Sequence, residues 1–240
     1  MSASALQVHR APAEAAGGTL AVAGVDLVAD TSGALYWPDR GLLAVADLHL
    51  EKGSSYAERR VLLPPYDTAA TLARMSQAIA RYAPRAVVAL GDSFHDGRGP
   101  ARLAGSDRAS LLGLQRGRDW IWIAGNHDPE PADNIGGRFL ATFTLGRLTF
   151  RHAPQDAAEG EIAGHLHPVA RVSGRGRAVS RRCFACDSRR MVMPAFGAYA
   201  GGLNVRDAAF ADVFGTLAFT AHMLGERRLY AVAAKRCMPD

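Results

Sequence analysis

A layered α/β fold is what this 240-residue sequence predicts, and three observations point to it. Short apolar runs recur with no polar residue in every second place. Helical stripes separate the early runs. After residue 138 the chain passes to closely spaced β segments. A run that lacks alternation is covered on both faces, which marks an interior strand of an α/β protein.

The elements follow in chain order. Residues 19–46 hold two or three strands, with a turn at Asp30-Thr31-Ser32-Gly33 and a final apolar run from Leu42 to Ala46. Pro64-Pro65 opens a helix over 66–82, where Leu72, Met75, Ile79 and Tyr82 recur at helical spacing and face the core. Ala86-Val87-Val88-Ala89-Leu90 is the next interior strand. A second helix is expected over 107–116 with Leu111, Leu112 and Leu114 turned inward. Trp120-Ile121-Trp122-Ile123-Ala124 is a third interior strand. Short strands are expected near 139–144, 147–151, 161–163, 169–173, 179–184, 190–194 and 228–234, with an irregular glycine-rich stretch at 197–202. The first 18 residues read as a flexible leader and 19–240 as one domain, since a chain of this length can bury a full core.

The ends of these strands carry the chemistry. The run at 120–124 passes straight into Gly125-Asn126-His127-Asp128. Asn and Asp favour turns, so this block alone reads equally well as a turn. Repetition favours a site, because α/β folds place their sites at the carboxyl ends of strands. The run at 42–46 ends in Asp47-Leu48-His49, and the run at 86–90 in Gly91-Asp92-Ser93-Phe94-His95-Asp96. Leu148-Thr149-Phe150 leads into Arg151-His152, and Ile162-Ala163 into Gly164-His165-Leu166-His167. Of eight histidines, only His9 and His222 lie elsewhere. In Asp47-x-His49 and His165-x-His167 the two side chains would leave an extended segment on the same side. Asp92 has two oxygens and can bridge two ions, and Asn126 offers a neutral amide oxygen. A nitrogen and oxygen set without thiolate suits manganese, iron or zinc and disfavours a structural thiolate zinc site.

In order, D-x-H, G-D, G-N-H-D, a lone His and G-H-x-H resemble the motif blocks of the calcineurin-like metallophosphoesterase superfamily, all five intact between residues 47 and 167. The stretches DLHLEKGSSYAERRVLLPPYDT, LGDSFHD, EIAGHLHP, RRCF and MPAFGAYAGGLNV are similar to a bacterial subfamily of ligase-associated DNA damage response endonucleases, over about residues 40–230. The resemblance implies a four-layer α/β/β/α sandwich, two mixed β-sheets flanked by helices. It also implies two divalent ions, manganese first, with iron or zinc as alternatives. Asp47, His49 and His167 would hold one; Asn126, His152 and His165 would hold the other; Asp92 would bridge them. His127 would face the scissile phosphate rather than a metal. His95 would face substrate too, against the alternative of a loop histidine bonded to Asp96. Two cations roughly 3.5–4 Å apart clamp a phosphate and activate water. A histidine beside them can protonate the leaving oxygen or offset charge on the phosphoryl group.

Composition bounds the remaining choices. No stretch reaches the roughly 18 apolar residues of a membrane span, and the N-terminus MSASALQVHRAPAEAAGG has no apolar signal core. A cytoplasmic protein is expected. The lone CxxC of Cys183 and Cys186, with Cys237 distant, is expected to be structural rather than a zinc or redox site. The net charge of +5 favours an anionic partner only weakly. Two basic groups could contact phosphate or be solvated faces: Lys52, Arg59 and Arg60, and the arginines 171, 175, 177, 181, 182, 189 and 190. No aromatic-rich platform for stacking bases stands out. The expected activity is a binuclear-metal phosphodiesterase cutting DNA internally in repair, beside a ligase and a helicase. A small-molecule phosphohydrolase is the alternative. A non-catalytic scaffold is disfavoured, because every ligand position is filled.

Overall fold

The computed structural model describes residues 17–130, 132–155, 158–174, 176–215 and 218–240. Two β-sheets stack face to face. The first has seven strands in chain order: β1 (Gly17–Val22), β2 (Val25–Asp30), β3 (Leu35–Trp37), β4 (Leu42–Val45), β5 (Ala86–Leu90), β6 (Asp119–Ile123) and β7 (Arg138–Leu140). Strands β1 to β4 pair antiparallel and β4 to β7 pair parallel. Parallel neighbours need crossovers. Helices α1 (Lys52–Glu58) and α2 (Asp67–Tyr82) supply one, α3 (Gly99–Arg102) and α4 (Gly105–Gln115) the next.

The second sheet holds nine strands: β8 (Phe143–Leu145), β9 (Leu148–Arg151), β10 (Glu161–Ala163), β11 (Pro168–Gly174), β12 (Arg177–Cys186), β13 (Arg190–Val192), β14 (Leu203–Asn204), β15 (Thr220–Leu224) and β16 (Leu229–Ala233), with α5 (Ala208–Phe214) before β15. Its order is β14-β11-β12-β13-β10-β9-β8, and β15 and β16 branch from β12. Both sheets are mixed, and helices lie outside them, giving the four layers α/β/β/α.

Side-chain register explains the unbroken apolar runs. In β4, Leu43 and Val45 pack toward α2 while Leu42 and Ala44 pack toward the second sheet. In β5, Val87 and Ala89 face the helices and Val88 and Leu90 the other sheet. In β6, Trp120 and Trp122 face the helices and Ile121 and Ile123 the other sheet. Every residue has an apolar layer to enter, so none needs to be polar. A third apolar cluster joins Phe210 of α5 to Cys183 and Ala185 of β12 and Val192 of β13. Asp30, fully buried at the end of β2, ties α2 to the first sheet by accepting from Arg81 and from Tyr82 Oη at 2.7 Å.

Several expectations need correction. The expected leader ran to residue 18, but Gly17 and Gly18 already belong to β1; residues 1–16 lie outside the described residues. Residues 19–46 carry four strands rather than two or three. The single strand expected near 139–144 is two, β7 and β8, which belong to different sheets, so the chain crosses the sandwich between them. Leu112 does not turn inward: it is 38% exposed, whereas Leu111 is 0% exposed and Leu114 packs on the core. Leu111 and Leu114 are three apart and share a helix face; the next residue along is rotated off it. Helices α1, α3 and α5 and strands β14 and β15 were not anticipated.

The corrected α4 register has a direct check. Leu111→Ala is expected to lower unfolding free energy by about 2–5 kcal/mol, the range for a buried leucine. Leu112→Ala should change it by about 0.5 kcal/mol or less. Urea unfolding of both variants measures the difference, and equal losses would contradict the register.

Candidate metal centre

The carboxyl ends of parallel β4, β5 and β6 open on one edge of the first sheet, and the loops after them carry Asp47 and His49, Asp92 and His95, and Asn126 and His127. Strands β9 and β10, parallel in the second sheet, deliver His152, His165 and His167. The sheets meet here through a bridge between Ala46 and Ala195. The loops then interlock: His49 N–H donates to Asp92 O, Leu50 N–H to Ser93 O and His95 N–H to Leu50 O, each at 2.9 Å.

The ligand pairs are not extended, as their spacing had suggested. Asp47, His49, Asp92, His165 and His167 all have left-handed backbone, with φ of 53°, 43°, 45°, 70° and 45°. A left-handed residue other than glycine costs of order 1 kcal/mol or more. Each one turns the chain sharply, so neighbouring ligands swing into one small volume instead of following a straight strand. The loops that carry them are tied together, the first two by those backbone bonds and the third by His165 N–H donating to the Asp47 carboxylate at 3.0 Å.

Two groups result. One ligand atom each from Asp47, His49 and His167 lie within 4.8 Å of one another, and so do atoms from Asp92, His152 and His165. Nε2 of His49 is 3.3 Å from Nε2 of His167, which is 3.4 Å from Asp47 Oδ1. In the second group His152 Nε2 lies 3.1 Å from His165 Nδ1, 3.4 Å from Asp92 Oδ1 and 2.8 Å from Asn126 Oδ1. Asp92, a member of the second group, also reaches toward the first, its Oδ2 lying 3.9 Å from His49 Nε2.

The donor chemistry fits a divalent cation. His152 Nδ1 is 3.0 Å from the Leu90 carbonyl, which can only accept, so this nitrogen carries the ring proton. Nε2, the other ring nitrogen, faces the oxygens of Asn126 and Asp92 and a nitrogen of His165, a convergence of nitrogen and oxygen ligand atoms that suits a divalent cation. Burial first, then the imidazoles of His167, His127 and His95 and the Lys52 ammonium, push His49 down to about 2. Burial and His152 also lower His165. Both shifts favour the neutral ring, whose lone pair a cation can take.

Close packing fixes the loops. Asp128 is buried, and its Oδ2 accepts from Ser93 N–H at 2.8 Å and Phe94 N–H at 3.1 Å, which clamps the Asp92 loop from below. Burial raises Asp128 to about 7. A Cβ on Gly125 would stand 2.1 Å from Asp92 N and 2.3 Å from Asp92 Oδ1, and one on Gly91 would enter the His152 ring at 2.5 Å. Gly125 was anticipated only as part of a turn; the need at both glycines is clearance.

The remaining candidates separate. His127 N–H donates to Asp92 Oδ1 at 2.9 Å, and its Nδ1 lies 2.9 Å from the His95 carbonyl. Nδ1 is thus the donor to that carbonyl, and Nε2 is left facing the cluster, 3.9 Å from Asp92 Oδ2. His95 stacks on His127 with centroids 5.4 Å apart and planes at 20°. It is not bonded to Asp96, whose oxygens accept from Arg102 and from Arg98 N–H. Lys52 reaches the rim and donates to Tyr199 O at 3.0 Å. Arg59 is exposed yet near enough to lower His95. Arg60 is exposed, and no described contact brings it to the centre.

The second arginine group dissolves. Arg182 donates to the carbonyls of Ala195 and Ala200, buried Arg190 pairs with Glu161, and Arg171 reaches Pro239 O. Arg177, Arg181 and Arg189 are exposed, and Arg175 lies outside the described residues. Cys183 and Cys186 pack on opposite faces of β12, in different apolar clusters, so they cannot share a metal or a bond; burial pushes both thiols up, Cys186 to about 12.

Residues 42–176 match the family model for the calcineurin-like phosphoesterase, which is more than half of the chain. The chain belongs to the calcineurin-like phosphoesterase family. It is a hydrolase acting on phosphoric esters, of a family that uses divalent metals. The phosphoesterase is similar in structure to Pseudomonas putida nuclease MPE, at 26% identity and a TM-score of 0.69, over 90% of this chain and 99% of that one. A weaker structural match, at 14% identity and a TM-score of 0.39, is Yfce, a phosphoesterase from E. coli, over 80% of this chain and 98% of that one. No curated protein matches the chain. Among the described residues no helix is long and apolar enough to cross a membrane.

Gly125→Ala is expected to lower metal affinity at least ten-fold (about 1.4 kcal/mol), because the added carbon must displace Asp92. Gly113→Ala, on α4 with open space around it, is the control and should bind as wild type. Manganese titration by calorimetry on metal-stripped protein reads both; unaltered affinity in Gly125→Ala would refute the clearance argument.

Proposed function

We propose that this phosphoesterase is a binuclear-metal-dependent phosphodiesterase that cuts DNA internally, and that it acts in DNA repair beside a ligase and a helicase. The observation that carries the reading is the pair of adjacent candidate ligand groups, one of them containing Asp92, with His127 turned toward them. Asp47, His49 and His167 would hold one ion, Asn126, His152 and His165 the other, and Asp92 both. A nuclease with the same fold over nearly its full length supports a nucleic-acid substrate. Manganese suits the mixed imidazole and oxygen set, with iron or zinc as alternatives. We place the enzyme in the cytoplasm. A small-molecule phosphohydrolase is the competing reading, and the dispersal of the second arginine group favours it, since that group cannot track a long phosphate backbone.

Bound there, two divalent cations would clamp the scissile phosphate and activate water for in-line attack. The protein supplies the rest. His127, tied through Nδ1–H to the His95 carbonyl, can present only Nε2 to substrate. As an imidazolium it donates that proton to the departing oxygen. The His95 ring stacked on it fixes its plane, and Lys52 and Arg59 place positive charge at the rim for the flanking phosphates.

Circular DNA, a nitrophenyl phosphodiester and a phosphomonoester, each with manganese, test the reading. Nicking of the circle is expected; hydrolysis of the monoester alone would overturn it. His127→Ala should slow DNA cleavage by about 10²–10⁴-fold and the nitrophenyl ester less, because nitrophenolate leaves without a proton. Its metal content should equal that of wild type. Fewer bound ions would make His127 a ligand or its support.

A further inference from the structure

Beside the metal centre lies a groove of ≈ 470 Å³ lined by Lys52, Tyr56, Leu63, Pro64 and Tyr199. Its two ring-bearing walls come from distant parts of the chain, Tyr56 from α1 and Tyr199 from the glycine-rich loop. Each wall is anchored from behind. Glu51, buried before α1, accepts from Thr68 Oγ1 at 2.9 Å and Ser54 Oγ at 2.6 Å, and Asp67 accepts from Gly53 N–H at 3.0 Å. The opposite loop is held by Arg74 on Phe196 O at 2.7 Å, Arg182 on Ala200 O at 3.0 Å, and Thr71 Oγ1, which accepts from Ala198 N–H at 3.0 Å. Lys52 links the walls, donating to Tyr199 O while its ammonium lies 5.8 Å from the Tyr56 ring centroid.

A row of rings leads from the groove toward the reaction centre. Tyr56 is 5.6 Å from His95, and His95 is 5.4 Å from His127, centroid to centroid. A group bonded to a phosphate at the metal groups can extend along this row toward the groove. The lining selects what that group is. Two phenol rings with a proline and a leucine favour a planar apolar face, and the single cation favours a neighbouring negative charge. The adjacent segment is apolar and open to solvent as well: Leu62 is 86% and Tyr66 68% exposed. A nucleobase with its phosphate is the chemical class that combines a stacking face with an anion at this spacing.

We propose that this groove is a subsite for one unpaired nucleobase next to the scissile phosphate, with Tyr199 and Tyr56 as stacking faces and Lys52 on the adjoining phosphate. The proposal rests on the phosphodiesterase reading above. A base stacked in a duplex cannot offer its face to a protein ring, so the nucleotide entering the groove is splayed from its neighbours.

The test uses full-length, manganese-loaded enzyme and DNA oligonucleotides in which one internal nucleoside is replaced by an abasic spacer, with cleavage mapped bond by bond. Wild type should cut a bond beside the spacer roughly 5- to 100-fold more slowly than the same bond beside a base, the range that base–aromatic stacking supports. Tyr199→Ala should bring that ratio close to one, and Tyr199→Phe, which keeps the ring, should preserve it. Equal manganese content in the three proteins shows that the centre is intact. A wild-type ratio near one, or a ratio that survives Tyr199→Ala, overturns the subsite and leaves the nuclease reading standing. If wild type cuts no oligonucleotide but hydrolyses diesters, the nuclease reading fails instead. The subsite is then decided by nitrophenyl thymidine phosphate against nitrophenyl methyl phosphate: a preference for the thymidine ester that Tyr199→Ala removes supports it, and equal rates overturn it.

Discussion

Asp92 is 2% exposed at the end of β5, and its backbone lies in the left-handed region. A carboxylate so placed is stable only if its charge is answered on every side, and the surrounding structure is arranged to do so. The His127 N–H donates to one oxygen, imidazoles from both sheets face the pair, and Asp128 holds the adjoining amides from beneath. Glycines stand where a methyl group would collide with this carboxylate or with His152. The left-handed turns at Asp47, His49, His165 and His167 belong to the same requirement, because only sharp turns bring so many ligands within reach of one another. The conformational cost is local, and the interlocked loops and packed sheets behind them offset it.

Much of this was legible in the sequence because it is local. Interior strands announce themselves by unbroken apolar runs, and α2 by its spacing of Leu72, Met75 and Ile79. The candidate ligands stood out because His, Asp and Asn recur at ends of strands, where a core has no use for them. The family followed from the order of those blocks rather than from any one of them.

What was not legible depends on distance or on backbone. Nothing in Asp47-x-His49 reveals a positive φ at both residues; the pattern is equally that of a strand. Helix α1, rich in serine and glycine, forms because Glu51, Thr68 and Asp67 hold it, and those contacts are tertiary. Helix α5 depends on a cap from Asp207 to Ala209 N–H and on burial of Phe210. The run of arginines after His167 looked like one basic face, but alternate side chains along a strand point opposite ways and the two most enclosed ones bind protein carbonyls and Glu161. Tyr56 and Tyr199 gave no joint signal because the loops that pair them are far apart in the chain.

The centre draws three loops from one sheet and two from the other, with the chain crossing between sheets after β7. The candidate ligands are therefore distributed across a seam rather than carried by a rigid element. Any cation held there would act as a rivet through the sandwich, and occupancy would raise the resistance of the whole fold to unfolding by simple mass action. The converse also holds: a packing defect far from the loops that lets one sheet slide against the other would register first as weakened ion retention. In this architecture the reactive centre doubles as a strain gauge for the alignment of the two sheets.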